Sequence, residues 1–163
     1  MKNGHAGTLC GDLIYVSGGQ KFDGHCRNMF SYNPTQDMWK EEPGMIHPRS
    51  NHVMVAVSER LYVIGGNTED PYGFPVSCTS IEIYSPTTRT WSLTQAEFNI
   101  REAGAFVLND NIYIVGGING QHYFSDLIQR YITSRDSVDL VDKFPTRIYG
   151  RACCVLTLPQ YIC

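Results

Sequence analysis

Little in this sequence invites a chemical reading. Its six cysteines (Cys10, Cys26, Cys78, Cys153, Cys154 and Cys163) form no C-x-x-C pair and stand at no cysteine–histidine spacing of the zinc type. That excludes the simplest metal motif and the redox dithiol, and leaves reduced thiols packed as small apolar groups. The Asn-x-Ser/Thr match at Asn33 has proline in its middle and is no glycosylation acceptor. Apolar runs are short, VMVAV (Val53 to Val57) being typical, against the roughly 20 residues that span a bilayer. Lys2, Asn3, His5 and Asp12 interrupt the first residues, so no secretory leader is expected and the cytoplasm is the expected location. Charge is sparse and nearly balanced, with a net value of -3, which gives no pull toward nucleic acid or anionic lipid. No Gly-x-Ser-x-Gly, H-E-x-x-H or Walker motif occurs.

Glycine, by contrast, is placed with regularity. Glycine pairs begin at 18, 65 and 116, each closing a similar apolar stretch: LIYVSGGQ, RLYVIGGN and NIYIVGGI. The spacings are 47 and 51 residues. A dinucleotide loop needs G-x-G-x-x-G opening a helix, and GGINGQHYF offers neither the spacing nor the helix. After each pair comes a polar loop, then a strand leading to a turn, as in MFSYNPTQDMW and IEIYSPTTRTW. Tyr32 and Tyr84 precede Trp39 and Trp91 by the same 7 positions. An arginine-bearing segment then leads into the next apolar run.

Each piece reads as strand or turn. VMVAV and AGAFVL are short apolar runs bounded by turn residues, hence strands. SER, NDN and CGD are hairpin-length connections, and NPTQD and SPTTR put proline and small polar residues where a type I turn wants them. No segment holds a 3.6-residue apolar period long enough for a helix. The repeating unit is therefore four antiparallel strands, A to D, in a meander, with the glycine pair ending B. Repeats of about 50 residues with four strands each are the mark of propeller blades around a channel.

The Gly-Gly pair, the Tyr and Trp at fixed offsets and the PRSNH and IREAG lead-ins resemble kelch repeats, in particular the propeller of BTB-kelch proteins. The resemblance covers essentially the whole chain. It implies an all-β, kelch-type β-propeller, here partial: units at roughly 1–46, 47–98 and 99–144 and the start of a fourth at 145–163. The third unit has Tyr131 but Val138 at the tryptophan position, and ITSRDSV lacks the proline, so a looser copy is expected there. Since family propellers usually have six blades, the chain is expected to be a fragment of a longer protein, with two unpaired sheet edges.

A meander puts the A–B and C–D turns on one rim and the B–C and D–A loops on the other. The B–C loops QKFDGHCRN, NTEDPYGFPVSCTS and INGQHYFSD vary most, and variable loops on a rigid scaffold are where recognition usually sits. The resemblance implies that this rim holds partner peptides. The candidate partner-binding residues are the first of each B–C loop, Gln20, Asn67 and Ile118, and the lead-in residues Asn51, Glu102 and Tyr149, counted back from the glycine pairs together with Gly4. Arg49 and Arg147 stand two residues earlier, in line with Lys2 and Ile100. Phe22, Tyr72 and Tyr123, with Phe74, are large aromatics in polar loops, the kind that anchor interfaces. Glu69, with Asp23 and Asp70, adds acid opposite the cationic lead-ins.

No metal or cofactor set is expected: the five histidines read as surface loop residues, and HPRSNH points its pair to opposite faces. The resemblance implies a protein-interaction module of a cullin-RING ubiquitin ligase adaptor, with cullin bound through BTB and BACK regions rather than this chain. Actin-filament binding is the alternative, and a copper- or iron-dependent kelch enzyme is a third reading for which no ligand set is visible. The glycine pairs are expected to make room for the aromatics Tyr84 and Trp91.

Overall fold

A computed structural model describes residues 3–150 and Cys153. The first sheet runs β1 (Asn3–Cys10), β2 (Leu13–Lys21), β4 (Met29–Asn33) and β5 (Met38–Glu42), with the short β3 (Gly24–His25) folded back on β2. The second orders β6 (Val53–Val57), β7 (Arg60–Ile64), β10 (Ser80–Ser85) and β11 (Thr90–Glu97), with the hairpin β8 (Asn67–Glu69)–β9 (Pro75–Ser77) between its middle strands. A two-residue pair, β12 (Ile100–Arg101) with β15 (Ile118–Asn119), flanks the third sheet. That sheet contains β13 (Gly104–Leu108), β14 (Asn111–Val115), β16 (Leu127–Ile132) and β17 (Ser137–Lys143). Every pairing is antiparallel, and the three sheets are successive blades of a partial β-propeller.

The turns follow from the residues given to them. Ser58 and Glu59, and again Asn109 and Asp110, all take positive φ, as the two-residue type I′ turn between A and B strands demands. The offset of 7 resolves into a register: Tyr32 lies opposite Trp39, Tyr84 opposite Trp91 and Tyr131 opposite Val138. In the first two blades the rings pack at 4.9 and 5.0 Å between centroids.

Two interfaces hold the blades together. Cys10, Tyr15 and Met29 of the first blade meet Met54, Leu61, Val63 and Tyr84 of the second. Val55, Val57, Tyr62 and Ile64 of the second meet Ile112, Ile114 and Tyr131 of the third. At each interface a B-strand tyrosine reaches the next blade's C-strand tyrosine: Tyr15 to Tyr84 at 6.3 Å, and Tyr62 to Tyr131 at 6.1 Å. Burial of each such side chain contributes about 1.5–3 kcal/mol. The middle blade is covered on both sides, which is why VMVAV and LYVI read as unbroken apolar runs. β1 instead alternates exposed and half-buried residues along its length, because one of its faces is open.

Each described blade has its four strands, the first and last of each sheet pairing on one side only, and sheet faces lie bare as well. On the first blade Leu9, Ile14 and Trp39 are exposed. In the third blade Phe106 and Tyr113 stack at 5.1 Å beside an Arg130–Asp139 ion pair, with Leu108 exposed along the same sheet.

The glycine pairs also differ from expectation. A Cβ on Gly66 would stand 2.5 Å from the Ser50 carbonyl, and one on Gly65 would strike the Ile100 carbonyl, so backbone crowds them and not Tyr84 or Trp91. The second glycine of each pair donates its N–H across the blade boundary: Gly19 to Arg49 O at 2.8 Å, Gly66 to Ile100 O at 2.8 Å and Gly117 to Ile148 O at 2.7 Å. The pairs are where one blade's B strand is tied to the next blade's lead-in. Only a residue without a side chain tolerates both the approach and the positive φ.

Candidate partner-binding rim

The lead-in segments meet around the channel mouth in a chain of backbone hydrogen bonds. Asn51 N donates to Gly4 O at 2.7 Å, Glu102 N to Asn51 O at 2.9 Å and Gly150 N to Glu102 O at 2.7 Å. All four residues have positive φ, between 54° and 64°. Asn51 and Glu102 thus occupy equivalent places, as their offset from the glycine pairs implies. In the fourth unit the equivalents are Ile148 and Gly150, not Arg147 and Tyr149, a shift of one residue. Lys2 lies outside the described residues. Below the mouth, His5 to Leu9, Val53 to Ala56, Ala105 to Val107 and Cys153 line an open concavity of about 550 Å³.

Arg49 does not face a partner. Its side chain is fully buried, donating to Gly65 O at 3.0 Å, Ser80 O at 2.9 Å and Ser80 Oγ at 2.7 Å, and pairing with the buried Glu82 carboxylate. Glu82 also accepts from Ile46 N at 2.7 Å and His47 N at 2.9 Å. This network fixes the second blade's lead-in to its C strand, so Arg49 is a structural cation. His47 presents its Nδ1 to both Glu82 (2.9 Å) and Ser80 Oγ (3.4 Å). One nitrogen serving both neighbours cannot be oriented by the carboxylate while the other activates the hydroxyl. Two other histidines also depart from the surface role expected: His52 is buried with Nε2 at 3.0 Å from Ser17 Oγ, and the buried His25 side chain sits 3.9 Å from Glu69.

The B–C loops share a device their sequences conceal. In the second blade Asp70 Oδ1 accepts from Tyr72 N and Phe74 N, both at 2.9 Å, and Asp70 N donates to Phe74 O. In the third, Asn119 Oδ1 accepts from Gln121 N and Tyr123 N, both at 3.0 Å, and Asn119 N donates to Tyr123 O. Each loop is therefore a closed five-residue turn presenting aromatics to solvent. In the first blade Phe22 stands at the tip of a two-residue hairpin, flanked by the Lys21–Gly24 pair. Phe22, Tyr72, Phe74 and Tyr123 are all exposed.

The remaining candidates are spread over the same rim. Gln20 and Glu69 are exposed, and Asn67 and Ile118 half-buried at their loop entrances. Arg147 is exposed, and Tyr149 stacks on Phe124 at 4.5 Å with both rings partly in solvent. Phe124 was not singled out from the sequence. Its bridge to Ile118 places it at the base of the third loop, a contact that no spacing announces. Arg101, one residue after Ile100, projects onto the rim and donates to His122 Nδ1 at 2.7 Å.

Four-stranded blades tied by glycine pairs around a channel define the class, a β-propeller of the kelch type. The sequence matches the KLHDC2/KLHL20/DRC7 Kelch-repeats domain over residues 2–137, and the chain belongs to the kelch-repeat family. It is 33% identical over 165 residues to Kelch-like protein 26 of Danio rerio, covering 96% of this chain and 26% of that protein. Kelch-like protein 36 of Bos taurus is 29% identical over 160 residues, with 95% and 26% covered. The chain thus spans about a quarter of the length of these curated relatives. A solved structure titled "Structure of YjhT" superposes with a TM-score of 0.77 at 16% identity, covering 88% of this chain and 52% of that one. It shares the fold.

Proposed function

We propose that this chain is the partner-recognition part of a BTB-kelch adaptor for a cullin-RING ubiquitin ligase, docking a protein on its B–C/D–A rim and performing no bond chemistry. The reading is supported above all by the exposed aromatics Phe22, Tyr72 and Tyr123 on loops whose backbones are already hydrogen-bonded into shape. Preformed loops lose little entropy on docking, and exposed aromatics supply contact area at small conformational cost. Asn51 and Glu102 at the channel mouth complete the surface, with Gln20, Asn67 and Ile118 at the loop entrances. Recruitment of cullin belongs, on this reading, to BTB and BACK regions of the parent protein acting in the cytoplasm.

Proximity labelling with the full-length parent tests it. Replacing Phe22, Tyr72 and Tyr123 together by alanine should erase the labelled partners, while replacing Asp12 and Glu59 on the opposite rim should leave them in place. An unchanged partner set in the triple variant would sink the proposal, as would direct capture of cullin by residues 1–163 alone.

A further inference from the structure

The closed turns in the B–C loops of the second and third blades are one geometry built from different residues. In both, the first side chain accepts two backbone N–H bonds through Oδ1: Asp70 from Tyr72 and Phe74 at 2.9 Å, Asn119 from Gln121 and Tyr123 at 3.0 Å. In both, the first carbonyl accepts at 2.9 Å from the fourth residue, Gly73 in one and His122 in the other, and each of these has positive φ. The two turns differ at the second position, where Pro71 has no N–H and Gly120 has one. Among the described residues that N–H makes no hydrogen bond, and neither does the side-chain NH2 of Asn119. Gly120 has no side chain to shield its nitrogen. Asn119 and Gly120 are half-buried while Gln121, His122 and Tyr123 are exposed, so water reaches the turn.

Asparagine followed by glycine is a reactive pair. The Gly120 nitrogen, on giving up its proton to solvent base, attacks Asn119 Cγ and closes a five-membered succinimide. The side-chain nitrogen leaves as ammonia, regaining a proton from water. A water molecule then opens the ring at one of its two carbonyls, with no change of oxidation state. Attack at Cγ breaks the new bond to Gly120 N and leaves aspartate. Attack at the backbone carbonyl carbon breaks the original peptide bond instead and leaves isoaspartate, with the chain running through the side chain. Two N–H donors already sit on Oδ1, where the oxyanion of ring closure and of opening at Cγ develops, whereas the backbone carbonyl has only the donor from His122. The second blade displays the end state, since Asp70 closes the same turn with a carboxylate. We propose that Asn119 is a self-modifying position, which the folded loop converts to aspartate. The loop that carries His122 and Tyr123 thereby gains a negative charge and keeps its turn. This chemistry is independent of whether the rim docks a partner.

The test incubates the 163-residue chain at mildly alkaline pH, native and unfolded in guanidinium chloride, and maps the Asn119 peptide by mass spectrometry with aspartate and isoaspartate resolved. In the unfolded chain nothing holds Oδ1, and the backbone carbonyl, beside the electron-withdrawing nitrogen on Cα, is the more electrophilic, so isoaspartate should exceed aspartate. In the native chain the ratio should invert, and conversion should be at least as fast. The other asparagine–glycine pair, Asn3–Gly4, lies in β1 opposite Gln20 with no donor on its side-chain oxygen among the described residues, and should show no inversion. Gly120→Pro copies the Asp70–Pro71 pair, and a Cβ there meets the movable Asn99 side chain first. It should abolish conversion and leave the thermal midpoint unchanged. Asn119→Asp, the product made directly, should keep the Tyr123 amide as protected from hydrogen exchange as in the parent chain. Slower conversion in the native chain than in the unfolded one, isoaspartate in excess in both, continued conversion in Gly120→Pro, or a deprotected Tyr123 amide in Asn119→Asp would each overturn the proposal.

Discussion

Arg49 and Glu82 form an ion pair from which both side chains are wholly withdrawn from solvent. Such a pair brings little net stability over an apolar replacement, but removing one partner strands the other as an uncompensated buried charge, at about 3–5 kcal/mol. Glu82→Ala also strips the acceptor from the backbone N–H groups of Ile46 and His47. We therefore expect Glu82→Ala and Arg49→Ala each to lower the midpoint of urea unfolding sharply. The combined Arg49→Met/Glu82→Leu variant should recover part of the loss. Additive losses in the double variant would show that the two side chains act independently. Loss of partner binding in any Arg49 variant would report unfolding rather than a vanished contact.

Gly66 carries two burdens that Gly11 does not. Both have positive φ, 100° and 57°, yet a Cβ at Gly11 meets nothing within 4 Å while one at Gly66 presses on the Ser50 carbonyl and on His52. Alanine at Gly11 should cost about 1–2 kcal/mol, the penalty of a left-handed backbone alone. Alanine at Gly66 must in addition push the lead-in away and weaken the Gly66–Ile100 bond, so its loss should exceed that of Gly11→Ala by at least about 1 kcal/mol. Paired chemical denaturation curves give the comparison directly; equal losses would remove the blade-tying role assigned to the glycines.

The fold was legible because its signals are periodic. The offset of 7 between Tyr84 and Trp91 is a consequence of their facing each other across one hairpin, and the glycine pairs recur wherever a B strand meets the next lead-in. The site was less so. Arg49 reads as a solvated loop arginine, and the sole hint to the contrary was Glu82, a charge between Ile81 and Ile83 where the other units have Phe30 and Gln129. The fourth unit was misplaced by one residue because no described glycine pair follows it to count back from. The turns built on Asp70 and Asn119 could not be seen at all. Aspartate in DPYGF and asparagine in NGQHY share only the ability to accept two backbone N–H bonds, which is a geometric likeness and not a textual one.

Trp39 and Trp91 occupy the same position in successive blades and should respond differently to the same change. Trp91 Nε1 donates to Pro43 O at 2.8 Å across the boundary with the first blade, and its ring is half-buried. Trp39 is 60% exposed and its indole makes no hydrogen bond to a described residue. Trp91→Phe should cost about 1–2 kcal/mol by stranding the carbonyl, whereas Trp39→Phe should stay within roughly 0.5 kcal/mol. Thermal midpoints of the two single variants decide the matter, and a larger loss at Trp39 would reverse it.

Acid should loosen both blade interfaces. Burial raises the Glu42 carboxyl, but the hydroxyls of Ser31 and Tyr84, then Lys40 and Arg89, outweigh it and hold the group below its ordinary range. Asp136 is depressed likewise, burial being overcome by the Gln95 N–H, the Tyr131 hydroxyl and the Ala96 N–H. Glu42 joins the first blade to Tyr84 and Arg89 of the second, and Asp136 joins the third to β11. A carboxyl whose folded value lies below its unfolded one binds its proton more readily when unfolded. Its stabilising contribution is complete above the unfolded values, about 4.3 for glutamate and 3.9 for aspartate. It is lost as pH falls from there through the folded ones. Thermal midpoints measured from about pH 6 to pH 3 should therefore be flat at first and then fall. Glu42→Gln should start lower and show a shallower fall, because the group that takes up the proton is gone. A slope unchanged in both Glu42→Gln and Asp136→Asn would mean that other carboxyls govern the acid response.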